Sequence, residues 1–167
     1  SLMGGVGPQL KRLLRKEHKQ SNSTLKWKSS TGLTRVDYFN WPETLTELFD
    51  KQSYNLVVAI FGTNDNQSVE HEKKVLRYGT PEWFSFYRSR VDEVLSIMCR
   101  DKHTRLIWVG LPKMRSKTFD RKIVKMNQIF QDEVGKSTCG KYIPMSKYIA
   151  PKDAFTSYLK LSGKKTK

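Results

Sequence analysis

The sequence predicts an α/β fold built on an open, mostly parallel sheet, and three observations carry that expectation. Two continuous apolar runs, residues 55–61 and 105–110, have the composition of strands buried on both faces. Segments with apolar residues at helical spacing separate them, and alternation of this kind is the pattern of a parallel sheet. The length, 167 residues, suffices for one core and is too short for two ordinary ones, so a single domain over residues 1–167 is expected.

A first helix is expected from about residue 6 or 8 to about residue 19, with Val6, Leu10, Leu13 and Leu14 on one face and lysines and arginines on the other. Residues 25–28 read as a short strand, and Ser29-Ser30-Thr31-Gly32-Leu33 as a turn. Asn40 is placed to N-cap a helix that ends near Lys51, with Pro42 and Glu43 in its first turn. The run 55–61, bounded by Gly62, is the most secure strand and reads as a central one. After a long polar stretch, Thr80-Pro81-Glu82 opens a helix to about Arg100, whose Phe84, Tyr87, Val91, Val94, Leu95 and Met98 share a face. Strand 105–110 follows, then a helix from about 118 to 134 on Phe119, Ile123, Met126, Phe130 and Val134, then a last short strand at 141–144. Every connection is expected to be a crossover.

Lysine and arginine number 31 against 16 aspartate and glutamate, a net charge of +15. Such an excess favours anionic partners, among them nucleic acid, lipid headgroups and acidic polysaccharide, without choosing one. The charges are scattered, which reads as a solvated basic surface, and no nucleic-acid-binding signature accompanies them, so no nucleic-acid partner is expected. No apolar run approaches the roughly 18 residues of a membrane span. Cys99 and Cys139, the only cysteines, read as two semi-buried thiols or, in an oxidising space, as a pair. With His18, His71 and His103 scattered, no metal or other cofactor is expected.

In an open parallel sheet the chemistry lies beyond the carboxyl ends of the strands. That rule selects the 29–32 turn, Gly62-Thr63-Asn64-Asp65 and Leu111-Pro112-Lys113-Met114-Arg115, and it disfavours His18 and His103. In the second of these, glycine permits a sharp turn and Asn64 offers a neutral amide donor suited to an oxyanion; a plain Gly-Asx turn is the alternative. Gly32 either takes a positive φ or presents its N–H to a ligand. Ser1, ahead of the glycine-rich Gly4-Gly5-Val6-Gly7-Pro8, sits where a helix entry would favour a nucleophilic oxygen.

Together these segments resemble the SGNH, or GDSL-type, hydrolase superfamily. Its first block survives as Ser1-Leu2, its second-block glycine corresponds to Gly32, and its third block to Gly62-Thr63-Asn64-Asp65. More narrowly, Gly5-Val6-Gly7-Pro8, Ser30-Thr31-Gly32-Leu33, Phe39-Asn40-Trp41-Pro42, Tyr87-Arg88-Ser89-Arg90 and Trp108-Val109-Gly110-Leu111-Pro112 resemble a bacterial cell-envelope branch known mainly as a domain of unknown function. The resemblance implies a three-layer α/β/α, flavodoxin-like fold. It implies Ser1 as nucleophile, with Gly32 and Asn64 in the oxyanion hole and a base from an Asp-x-x-His block near the C-terminus. No such block occurs here, and both ends read as cut, with the first strand and the C-terminal block missing, so this stretch alone is expected to show negligible esterase activity. His71 is a remote substitute for the base, and Asp65 is expected to brace its own turn.

The activity the resemblance implies is hydrolysis or transfer of O-acyl groups, chiefly O-acetyl, on cell-envelope carbohydrate through an acyl-serine. Trp41, Lys113 and Arg115 are candidates for holding an anionic glycan, with loop packing and a solvated face as their alternative reading. The alternative function is a non-catalytic glycan-binding or scaffolding partner of a membrane-bound acyltransferase. An extracytoplasmic location, periplasmic or membrane-tethered, is implied by the resemblance alone.

Overall fold

The computed structural model describes residues 2–19, 21–150, 154–156, 159–161 and 164–166. The chain divides into two compact units, Ser1–Thr31 and Gly32–Lys167.

In the first unit, helix α1 spans Leu2–Glu17. It starts earlier than the sequence suggests, because Gly4, Gly5 and Gly7 are helical and do not form an entry turn. Two of these glycines make room for the chain that follows. A Cβ on Gly7 would sit 2.4 Å from Leu25 Cδ1, and one on Gly4 would sit 3.6 Å from Trp27. Residues 25–28, expected as a strand, therefore form none: their alternation lays Leu25 and Trp27 along α1, where no ladder partner is offered.

In the second unit, helix α2 (Trp41–Lys51) begins where the sequence places it, with Asn40 Oδ1 accepting from the Glu43 N–H at 3.3 Å. Strand β1 covers Leu56–Ala59. A hairpin follows, β2 (Val69–His71) and β3 (Lys74–Leu76), in the stretch read as merely polar. Its two turn residues, Glu72 and Lys73, both take positive φ (49° and 62°), the backbone of a tight type I′ turn. Helix α3 (Pro81–Met98) is capped by Thr80 and buries Trp83, Tyr87, Val91, Val94, Leu95 and Met98; Phe84 is only half-buried. Strand β4 (Arg105–Val109), helix α4 (Lys117–Lys136, capped by Ser116) and strand β5 (Gly140–Ile143) follow. The short helix α5 (Ser146–Ile149) and an antiparallel pair, β6 (Leu159–Leu161) and β7 (Lys164–Thr166), come last.

The fold is α/β, with β1, β4 and β5 forming a parallel three-stranded sheet in the order β1-β4-β5. Two expectations need correction. β4, not β1, is the central strand: an apolar run reports burial of a strand's faces and says nothing about which strands lie beside it, and Leu56 is 46% exposed. Nor is every connection a crossover, since 69–76 and 159–166 are antiparallel hairpins. The core of this unit is aromatic, with Trp83, Tyr87, Trp108 and Phe130 fully buried. Cys99, at the end of α3, and Cys139, before β5, are joined in a disulfide with Cα atoms 5.6 Å apart. The reading as two thiols is thereby replaced; sequence separation carries no information on that distance.

Candidate active site

Two of the candidate segments, the chain at residues 32–34 and the Gly62 turn, are joined by buried hydrogen bonds through Asp65. After β1 the chain turns at Gly62, whose φ is +115°. A Cβ there would lie 2.7 Å from Phe130 Cζ and 3.1 Å from Leu111 Cδ1, so only glycine lets this turn close against the loop that follows β4. The Asp65 N–H donates to the Gly62 carbonyl (3.0 Å), Asn66 Nδ2 to Thr63 O (2.9 Å), Gln67 Nε2 to Asn64 O (2.9 Å) and the Gln67 N–H to Asp65 O (2.8 Å). Four successive carbonyls are thus engaged, which fixes the peptide planes of the turn. On this frame Asn64 is exposed.

Asp65 is fully buried and does more than brace its own turn. Its Oδ1 accepts from the Thr34 N–H and from Thr34 Oγ1, each at 3.0 Å, and its Oδ2 accepts from the Tyr87 hydroxyl at 2.9 Å. The carboxylate thereby ties the Gly32 loop to the Gly62 turn. Gly32 is required by the same contact, because a Cβ on it would meet Asp65 Oδ1 at 1.9 Å. With three donors directed at it, Asp65 is a structural acceptor. Burial, and then the Asp65 charge, hold the Tyr87 phenol well above its ordinary pKa, so it stays a donor.

Helix α3 supplies the rest of the support. Trp83, Tyr87 and Arg90 fall on one helical face and donate in turn to Gln67 O (2.9 Å), Asp65 Oδ2 (2.9 Å) and Leu33 O (3.1 Å, from Arg90 Nε). From α4, Lys122 Nζ reaches Asn66 O at 3.1 Å and lies 4.6 Å from the Tyr78 ring centroid. The third loop is held by Asn127, which accepts from the Leu111 N–H (2.8 Å) and donates to the Leu111 carbonyl (2.9 Å). Beside it, Gly110 packs on Tyr142, whose phenol burial pushes up to about 12.

The predicted site residues are placed unequally. Gly32 and Asn64 lie on loops joined through Asp65. Ser1 lies outside the described residues. Trp41 is buried, edge-on to Phe39 and Phe61, and underpins the rim more than it lines it. Lys113 sits 3.6 Å from Asp120, and the Arg115 guanidinium lies 5.4 Å from the Phe155 ring centroid. His71 belongs to the hairpin, 4.6 Å from the Phe86 ring, in an open groove of about 570 Å³ that Glu82, Ser85 and Ser89 also line. His103 precedes β4, on the rim opposite the Gly62 turn and the Leu111 loop. Among the described residues no group of three His, Cys, Asp or Glu side chains could hold a metal ion.

Thr34, Tyr87 and Arg90 carry the loop geometry without having been singled out for it. One signal existed: a tyrosine four residues after a tryptophan on a buried helix face must find a partner for its hydroxyl. The Gly62 turn and the Leu111 loop lie past the carboxyl ends of the parallel strands β1 and β4, and Asn64 is exposed there. The family described as a protein of unknown function, DUF459, matches residues 1–167. No curated protein matches the chain.

Proposed function

This chain belongs to the DUF459 family of unknown function, and we propose that it is a serine esterase or O-acetyltransferase of the SGNH type, acting on O-acyl groups of cell-envelope carbohydrate. The observation that carries the reading is the Asp65 corner. One buried carboxylate locks the loop of Gly32, where no side chain fits, to the turn that presents Asn64. The parallel strands and their helices agree with a flavodoxin-like α/β/α arrangement, which is part of the same proposal.

In this reading Ser1 Oγ attacks the acyl carbonyl. A C–O bond forms from Ser1 Oγ to the acyl carbon, and the ester C–O bond then breaks as the alcohol leaves with the proton that the base took from the serine. The Gly32 N–H and the Asn64 carboxamide hold the oxyanion between the two events; one such donor is typically worth about 3 kcal/mol of barrier. Water or a sugar hydroxyl then takes the acyl group. The serine proton goes to a base, which the family resemblance assigns to an Asp-x-x-His histidine. A net charge of +15 suits an anionic glycan, and the Cys99–Cys139 disulfide suits an oxidising, extracytoplasmic space.

The test uses the full-length protein with p-nitrophenyl acetate and with acetylated glycans. Ser1→Ala should abolish turnover and the acetyl mass gain on the intact protein, and Asn64→Ala should lower kcat about a hundredfold. Unchanged turnover in the serine variant removes the acyl-enzyme mechanism.

A further inference from the structure

We propose that Arg90 is a positioning residue for the oxyanion hole, fixing the backbone at Gly32; this role rests on the hydrolase reading, while the contact itself does not. The peptide unit joining Leu33 to Thr34 is gripped at both ends. Its carbonyl accepts from Arg90 Nε at 3.1 Å, and its N–H donates to Asp65 Oδ1 at 3.0 Å. A peptide held at both ends cannot rotate without losing two hydrogen bonds, a part-buried one to a cation and a buried one to a carboxylate.

Gly32 precedes Leu33, so the gripped unit anchors the chain one residue downstream of it, and glycine by itself has the widest choice of backbone conformations. The contact with Asp65 forbids a side chain there, so the conformational restraint that a Cβ would have supplied has to come from elsewhere. Arg90 supplies it from α3, a rigid element that also delivers Tyr87 to Asp65. The arginine is itself restrained: its side chain is only 16% exposed, and its Nη1 pairs with Glu93 one turn along the helix. Two directions are needed, Nε toward the loop and Nη1 toward Glu93. A planar guanidinium provides both at once and a lysine ammonium does not.

A donor that must meet an oxyanion matters only in the transition state. Loosening it therefore lowers kcat and leaves KM in place. The experiment has two arms on the full-length protein. In the first, amide hydrogen exchange is followed at Gly32, Leu33 and Thr34 in wild type, Arg90→Gln and Arg90→Lys. Exchange at Thr34 should accelerate about tenfold in both variants while amides in the middle of α3 keep their protection. In the second, acetyl-ester turnover should show kcat down by about ten- to a hundredfold with KM unchanged.

Arg90→Lys keeps charge and bulk, so it carries both arms if the glutamine variant fails to fold. Wild-type exchange at Thr34 in the lysine variant overturns the proposal, and so does a raised KM at wild-type kcat. If wild type shows no Ser1-dependent turnover, the hydrolase reading falls, and with it the catalytic role assigned here. The exchange arm still decides separately whether Arg90 fixes this peptide.

Discussion

Helix α3 makes two kinds of contact from two of its faces. Toward the candidate site, Trp83, Tyr87 and Arg90 donate hydrogen bonds to loop backbone and to a buried carboxylate, the Tyr87 bond fully buried and the other two partly so. Toward α4, Arg88 forms ion pairs with Asp132 (2.8 Å) and Glu133 (2.5 Å), and its own side chain is 37% exposed. The first face fixes where loop peptides point; the second holds two helices side by side. The difference is one of tolerance. The partly solvated Arg88–Asp132 pair bends and rehydrates at small cost, and the buried Glu133 keeps Lys136 as a second partner, whereas a buried donor that loses its only acceptor has nowhere to turn.

The first face breaks most severely at Asp65. Asp65→Ala leaves the Thr34 N–H, the Thr34 hydroxyl and the Tyr87 hydroxyl without their acceptor in a closed space. The expected loss is about 3–5 kcal/mol in urea unfolding, a large share of the roughly 5–15 kcal/mol that holds an ordinary domain together. By contrast His71→Ala, on the half-exposed hairpin, should stay within about 0.5 kcal/mol. A loss below about 1 kcal/mol for Asp65→Ala would mean that the loops are held by something other than this carboxylate.

Gly32→Ala should cost about 1–3 kcal/mol, since its methyl would have to enter space occupied by the Asp65 carboxylate. The two substitutions share one contact and should not add. In the double variant Asp65→Ala removes the obstruction, so the second change becomes cheaper than it is alone. Strict additivity would place the clash elsewhere.

What the sequence made legible divides along similar lines. Helices α2, α3 and α4 were readable because their signals are local: Asn40 and Thr80 cap the first two, and the apolar spacing of the third runs to Val134, although its cap, Ser116, went unread. The hairpin at 69–76 was not readable. Its turn puts Glu72 and Lys73 at positive φ, where glycine or asparagine would have announced it. The segment 25–28 misled because period-two alternation describes a chain with one apolar side, and such a chain can lie on a helix as well as in a sheet. In the candidate site, the Gly62 turn followed from the strand-end rule, whereas Gly32 was reached by way of a strand at 25–28 that does not form. The hydrogen bonds that join them did not, because Thr34 to Asp65, Tyr87 to Asp65 and Arg90 to Leu33 span 31, 22 and 57 residues. Pairing at that range depends on which helix lands beside which loop, and no local pattern records it.

The smallest effect separates the two faces by acidity. Hydrogen bonds from Arg88 and Gln128 hold Asp132 below its ordinary value of 3.8. For Glu133 burial pushes the other way, but hydrogen bonds from Lys136 and Arg88 outweigh it and leave the carboxyl below 4.5. Both groups therefore bind protons less readily folded than unfolded. Their contribution is complete above the usual carboxylate range and is lost as the pH falls through their lowered native values. Arg88→Met should cost about 1 kcal/mol near neutrality, discounted for solvent exposure, and the gap to wild type should close in acid. The first face responds at the opposite end of the scale. Tyr87 is raised well above 10.0, chiefly by burial, as is Tyr142 on β5, to about 12, so the unfolded chain releases these protons first. That stability is intact below the ordinary tyrosine value and declines as the pH climbs past it. Tyr87→Phe should make the alkaline decline shallower while leaving the acid limb unchanged. Urea midpoints measured across the full pH range would reveal both limbs, and an Arg88→Met gap that persists unchanged in acid would show that the α4 face is held by packing and not by charge.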